Sequence, residues 1–363
     1  EDGIRDVERS RGLGDVYKRQ TTNKEINMKN ITKVGLSALA GALAITSVNA
    51  GEMSISGSME ASYTKGSGYL TTGNPLGMDK ELSVTGSGEL DDGTTVSYKQ
   101  TITDAMAFND SELVFGNVFG TTASIAMTST GSPISAIDDV TPTAFEEANA
   151  LIGSIDDVNG MDGTYGLRFT MADVMGTGFK IDAMYTTAVG SGDAQADNGT
   201  SGESGATLDD GEEITITGTV PFVEGLSVGA GYYKADSHST IDTGQYGQEE
   251  GTAYIKYSTG PVSLGYQKGA VSDYTGGGEE THFTNQYYGI SYKVSDDLSI
   301  SYNEMESRKS NNSTDIEQDF DSISVSYTMG GMTIGIADAD VSNSSYTSGR
   351  AQDETSISLS IAF

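Results

Sequence analysis

From residue 52 to the last residue, 363, the chain repeats one pattern: segments of roughly ten residues in which apolar and polar side chains alternate. In "EMSISGSMEASYT", Met53, Ile55, Met59, Ala61 and Tyr63 share one parity, and Ser54, Ser56, Ser58, Glu60 and Ser62 share the other. A period of two puts unlike chemistry on the two faces of a strand, whereas a helix repeats at 3.6. The pattern predicts sixteen strands, near 52–64, 80–90, 94–103, 111–118, 121–127, 164–173, 178–187 and 212–221, then 225–235, 250–258, 261–270, 283–294, 297–306, 320–328, 332–341 and 354–363. No stretch reads as a helix of bundle length, and no linker divides the chain into domains.

Their connections alternate in length. "DDG" at 91–93, "VMGTG" at 174–178, "FVEG" at 222–225, "STGP" at 258–261, "SDD" at 295–297 and "MGG" at 329–331 are tight turns. Between them lie longer polar stretches such as 188–211, 236–249, 271–282, 307–319 and 342–353. An even number of such strands, with short turns on one rim and long loops on the other, describes an all-β, 16-stranded antiparallel transmembrane β-barrel. The period leaves a secreted β-sandwich or a β-solenoid open, because an alternating strand in water also buries its apolar side. Three features favour the barrel. The face that a sandwich would leave inside is mostly Ser, Thr, Gly, Lys and Asp. Tyr63, Tyr98, Tyr185, Tyr232, Tyr257, Tyr266, Tyr292, Tyr302 and Tyr327 sit toward strand ends on the apolar parity, as interfacial girdles would. A closed ring also leaves no edge to protect.

Charge narrows the function classes. The 363 residues carry 52 acidic and 20 basic side chains, a net charge of -32, which excludes a general nucleic-acid surface needing clustered Lys and Arg. With no cysteine, disulfides, thiolate metal sites and thiol catalysis are absent together. Residues 28–50, "MKNITKVGLSALAGALAITSVNA", have two lysines, an apolar run and small residues at their end, which is the pattern of a secretory signal peptide cleaved between Ala50 and Gly51. Residues 1–27 fit neither that segment nor a fold and are expected to be a non-native or readthrough leader. Residues 51–363 then form the barrel, with 12 basic and 46 acidic residues.

The longest insert follows the fifth strand: Thr128 to Gly163, 36 residues. Loops of this length in a compact fold usually act. It carries Asp138, Asp139, Glu146, Glu147, Asp156 and Asp157 and no basic residue, and a short helix is expected in "PTAFEEANALIG". On the apolar-out parity, Lys99, Arg168, Lys180, Lys256 and Lys293 point to the polar face. Two readings follow: each cation neutralises a nearby carboxylate, or together they form a basic wall opposite an acidic loop, giving a transverse field.

Together these residues resemble a Gram-negative general diffusion porin of the alphaproteobacterial type, from a marine bacterium. The resemblance spans Met28 to Phe363: the leader, the first strand "GEMSISGSMEASY", the pair "SELVFGNVFGTTASIAM", the acidic loop and the terminal "SLSIAF". It implies a homotrimer in the cell outer membrane whose inward-folded third extracellular loop, here 128–163, forms a constriction facing basic wall residues; Arg168 and Lys180 are the nearest matches. It also implies that the last strand, ending in Phe363, is read by the barrel-assembly machinery. The departure from the family is the scarcity of basic residues.

No catalytic constellation is present, so no enzyme activity and no cofactor are expected. His238 and His282 fall in expected loops without ligand spacing. Acidic loops offer Ca²⁺ the oxygen ligands it prefers, but no twelve-residue EF-hand loop occurs. The expected function is passive diffusion of small hydrophilic solutes and ions through a lipid-embedded pore, with cation preference. A substrate-specific channel and a non-conducting adhesin or structural barrel are the alternatives.

Overall fold

The computed structural model describes residues 41–42, 51–68, 73–103, 108–146, 148–152, 155–189, 208–237, 247–274 and 280–363. The strands are β1 (Glu52–Gly68), β2 (Leu76–Glu89), β3 (Thr95–Thr103), β4 (Phe108–Val118), β5 (Ala123–Thr128), β6 (Gly166–Met171), β7 (Phe179–Thr186) and β8 (Leu208–Thr219). They continue as β9 (Leu226–Ser237), β10 (Gly247–Thr259), β11 (Val262–Tyr274), β12 (Glu280–Lys293), β13 (Leu298–Ser310), β14 (Asp315–Met329), β15 (Met332–Ser342) and β16 (Gln352–Ala362). Each pairs antiparallel with its neighbours in sequence, and β16 pairs with β1 from Gln352↔Gly68 to Ala362↔Ser58. Phe363 extends that seam through backbone hydrogen bonds with Gly57 at 2.8 and 3.3 Å. The sixteen strands thus close into an antiparallel barrel without a free edge. Gly41–Ala42, inside the expected signal segment, lies beside Ile55 and Ser54 of β1.

Tight turns stand where the sequence puts them. Gly260 and Gly330 have φ of 55° and 65°, a left-handed conformation that a hairpin turn needs and a side chain resists.

All sixteen expected segments coincide with strands, but several strands run further toward the long connections. β1 continues to Gly68, while β8, β10 and β14 begin at Leu208, Gly247 and Asp315. The cause is a change of chemistry without a change of parity. Near the short turns, Ile323 and Tyr327 of β14 are exposed while Ser322 and Ser324 are buried. Toward the long connections the faces exchange character: Phe320 is buried and Asp319 and Asp321 are exposed. The same exchange occurs in β13 (Met305 against Glu304), in β15 (Ala339 and Val341 against Asp338 and Asp340) and in β9 (Tyr233 and Ala235 against Asp236). In β14 the expected segment starts at Phe320, where that exchange begins, whereas in β9, β13 and β15 the expected segments run into it. The barrel therefore has an apolar exposed band at its short-turn end and an acidic exposed collar above it.

One expectation is corrected here. His282 lies in β12 rather than a loop, its Nδ1 2.9 Å from Ser272 Oγ. His238, Glu147, Ala50 and the whole of 1–27 fall outside the described residues.

Candidate functional site: the long segment and the polar face

Residues 129–165, between β5 and β6, cross the polar face of the second half of the barrel and return. Arg168 Nη1 donates to Gly131 O at 2.8 Å, and Ser132 Oγ donates to Glu213 Oε2 of β8 at 2.7 Å. A single 3-10 turn, Ser135–Ile137, follows. Gln267 of β11 then accepts the Val140 N–H at 2.9 Å and donates Nε2 to the carbonyls of Ile137 and Asp138 at 2.7 and 2.6 Å. Asn303 of β13 donates to Pro142 O at 3.2 Å. The N–H groups of Ala144 and Phe145 donate to Ser301 and Ser324 at 2.9 and 3.1 Å. The expected helix is one turn, α1 (Ala148–Leu151). On the way back, Asn285 of β12 donates to Asp156 O at 2.9 Å, and Glu250 Oε2 of β10 accepts the N–H groups of Asn159 and Gly160 at 2.7 and 2.8 Å. Most of the segment's recorded partners are wall side chains, as backbone removed from water requires.

Apolar packing fixes it further. Ile134, Val158 and Met161 are buried with Met184, Tyr233, Val271 and Phe283, and Ala148 and Ile152 with Tyr287, Met305 and Phe320. Burying each large side chain contributes roughly 1.5–3 kcal/mol. Glycines on the wall permit the approach. A Cβ on Gly265 would stand 2.4 Å from Pro142 Cδ, and one on Gly335 2.4 Å from the Phe145 ring. Gly265→Val is therefore expected to lower barrel stability by about 1–3 kcal/mol through overpacking. Gly86→Val, where nothing lies within 4 Å, should change it by less than about 0.5 kcal/mol. Urea unfolding of the detergent-solubilised barrel measures both, and equal shifts would refute the seating argument.

The five basic residues all keep the polar parity, but they do not form one wall. Asp182 of β7 gathers two of them: Arg168 Nε donates to Oδ1 at 2.8 Å and Nη2 to Oδ2, while Lys180 Nζ lies 2.8 Å from Oδ2. Thr170 Oγ1 also donates to Oδ1, at 2.7 Å. Lys293 pairs with Asp296 at 3.0 Å near a turn. Lys256 lies 5.9 Å from the Tyr254 ring centroid, within cation–π range. Lys99 stands across β3 and β4 from Glu112.

The acidic residues of the segment also separate. Asp138 and Asp157 are half-buried against the wall, and burial pushes their carboxyls up to about 6 and about 7. Asp156 is exposed, and Asp139 is half-buried. Glu146 is also raised, first by burial and then by the charge of Glu60 across from it. Glu60, already on the polar parity of the first strand, has neighbours that the sequence did not single out. On β16 and β1–β4 the polar parity carries Glu354, Glu60, Asp79, Glu81 and Glu112, with Lys99 as its basic residue among those described. Their signal was shared parity on consecutive strands, invisible until register is known. Among the described residues, no group of three or more His, Asp or Glu is arranged to hold a metal ion.

No protein-family model matches the sequence. No curated protein matches it either. Solved structures do match in fold. An anion-selective porin from Comamonas acidovorans is 13% identical with a TM-score of 0.64, covering 86% of this chain and 99% of that one. A loop L8 deletion mutant of OmpT, an outer membrane protein of Vibrio cholerae, is 12% identical with a TM-score of 0.60, covering 87% and 100%. A triple mutant of the Rhodopseudomonas blastica porin is 11% identical with a TM-score of 0.55, covering 86% and 100%. The shared feature is the porin-like barrel; neighbours from such different bacteria single out no source.

Proposed function

We propose that the chain is a passive, cation-preferring diffusion channel of a Gram-negative outer membrane. The observation carrying this reading is the closed ring with exposed Ile, Leu, Met and Tyr around one band and polar side chains on the opposite parity. Such a band has no soluble counterpart in a monomeric ring, and lipid is the solvent that suits it. The crossing segment is the inward-folded third extracellular loop, and it narrows the pore toward β1–β4.

The sign of selectivity comes from that remaining passage. An anion-selective porin shares the fold, so the fold alone is neutral on ion sign. Here Arg168 and Lys180 are committed to Asp182, while Glu60, whose charge acts on Glu146, shares its polar parity with Asp79, Glu81 and Glu112, with Lys99 among them. Mobile cations concentrate between carboxylates, so an acid-on-acid eyelet supports cation flow in place of the transverse field of an acid-on-base one.

Reconstitution in planar bilayers tests both levels. Stepwise single-channel currents are expected, with reversal potentials in a KCl gradient indicating K⁺ over Cl⁻. The combined variant Glu60→Gln, Glu81→Gln, Glu112→Gln, Glu146→Gln should reduce the permeability ratio several-fold. Anion preference in the native protein would defeat the selectivity assignment, and the absence of current from a folded barrel would favour a structural role.

A further inference from the structure

The three most exposed large apolar side chains among the described residues stand at three consecutive short turns. Phe119, between β4 and β5, is 85% exposed, Met175, between β6 and β7, 96%, and Phe222, between β8 and β9, 88%; the next, Leu76, reaches 68%. Two of these turns repeat one another in sequence and in geometry. "VFGT" at 118–121 and "VMGT" at 174–177 each close with the threonine N–H donating to the valine carbonyl at 3.1 Å. The threonine Oγ1 donates to the same carbonyl, at 2.9 and 2.6 Å. Both central residues are left-handed, with φ of 57° and 65° at Phe119 and Gly120 and of 54° and 76° at Met175 and Gly176. A turn of that form selects Asn, Asp or Gly at its first central position, because a bulky side chain resists positive φ. Glycine stands at the first position of the turns at 260 and 330. A phenylalanine and a methionine held there against preference, and so exposed, return little packing to the barrel.

Their surroundings follow from place, spacing and contrast. On the strands entering these turns the exposed parity carries Phe115, Ile125, Phe169 and Ile216, so the tips lie at the short-turn margin of the apolar band. Consecutive short turns stand two strands apart, about 10 Å, so the tips are separate knobs rather than one face. A protein partner would need a pocket for each, whereas lipid closes around isolated side chains as a solvent does. Elsewhere on the same rim the turns carry Asp91 and Asp92, between β2 and β3, and Asp296 and Asp297, between β12 and β13.

We propose that Phe119, Met175 and Phe222 form a three-point lipid anchor. They enter the boundary between headgroups and acyl chains of the leaflet at the short-turn rim, while the turn threonines and backbone stay hydrated among the headgroups. The anchor rests on the membrane reading above and adds a fixed depth for the β4–β9 sector of the rim, with the aspartate-tipped turns left in water.

The chain contains no tryptophan, so a single indole reports one position. Phe119→Trp, Met175→Trp and Phe222→Trp place it at the tips, Asp296→Trp at an aspartate-tipped turn, and Ile300→Trp in the exposed band on β13. Each variant is reconstituted in phosphatidylcholine vesicles whose chains are brominated near the headgroup, since bromine quenches a contacting indole. The three tip variants are expected to emit at shorter wavelength than the Asp296→Trp protein. Brominated lipid should quench them several-fold more, and aqueous acrylamide several-fold less. A variant that fails to fold leaves the other two tips to be read. Emission and quenching at the Asp296→Trp level at any folded tip, with Ile300→Trp still quenched by lipid, would overturn the anchor alone and leave that tip to water or a protein partner. Absence of lipid quenching at Ile300→Trp as well would overturn the membrane reading and the anchor with it.

Discussion

Replacing Asp182 with alanine is expected to destabilise the barrel by about 3–5 kcal/mol, the cost of leaving a buried charge without its partner. Its side chain is 2% exposed, and the Arg168 side chain it holds is 17% exposed. Removal leaves Arg168 without its bidentate acceptor and Thr170 without the carboxylate oxygen it donates to. Arg168 also holds Gly131 O, so the loss propagates to the start of the segment between β5 and β6. Lys180 differs: its side chain is 41% exposed, and it can turn its ammonium to water. Lys180→Met should therefore cost no more than about 1 kcal/mol, as solvated pairs do. Arg168→Met should fall between them, because Asp182 keeps Lys180 and Thr170. Urea unfolding midpoints in detergent would order the three variants. A Lys180→Met loss equal to that of Asp182→Ala would mean that the cluster is solvated and that its pairing contributes little.

That cluster also marks where the sequence ceases to be readable. Lys180 and Asp182 are two apart in "FKID" and visibly share a face. Arg168, fourteen positions from Asp182, joins them only through the β6–β7 register, which pairs Thr170 with Asp182. The alternation itself was legible because every strand near the short turns repeats it, and the length of the segment after β5 was legible as an anomaly. The seat of that segment was not. Gly231, Gly265, Gln267, Asn285, Ser301 and Ser324 look like ordinary polar-parity residues, and nothing local distinguishes a serine that meets water from one that accepts a loop N–H. The start of β14 was hidden for the related reason that Phe320 is apolar on the face that elsewhere is polar. The acidic face was hidden by abundance, since Asp79, Glu81 and Glu112 are three of 52 acidic residues and gain meaning only by adjacency across strands.

At pH 8, Asp157→Asn is expected to make the barrel more stable than the native protein by on the order of a few kcal/mol, with the difference vanishing in acid. Burial is the main cause of the raised Asp157 pKa, about 7 against an ordinary 3.8, and the charges of Asp138 and Glu250 add to it. The N–H of Val158 and Asn285 Nδ2 donate to its Oδ1 at 2.7 and 3.1 Å, which offsets the rise in part. A carboxyl whose folded-state pKa lies above its unfolded value binds its proton more tightly when folded. Its contribution is therefore complete below the unfolded pKa and is lost as pH rises through about 7. Asp138, raised by burial to about 6, titrates in the same sense. An asparagine at 157 keeps the oxygen that accepts both hydrogen bonds and carries no charge at any pH, so it fixes the segment in its protonated-like state. Both proteins share every other titrating group, and the difference between their unfolding free energies isolates this one. Measured by urea in detergent across pH 4 to 8, that difference should widen toward alkaline pH. If the proposed conduction holds, the same loosening should appear in bilayers as greater current noise above pH 7 in the native protein than in the variant. A difference that stays constant with pH, or that narrows as pH rises, would show that Asp157 is solvated and that the segment is held by its apolar contacts alone.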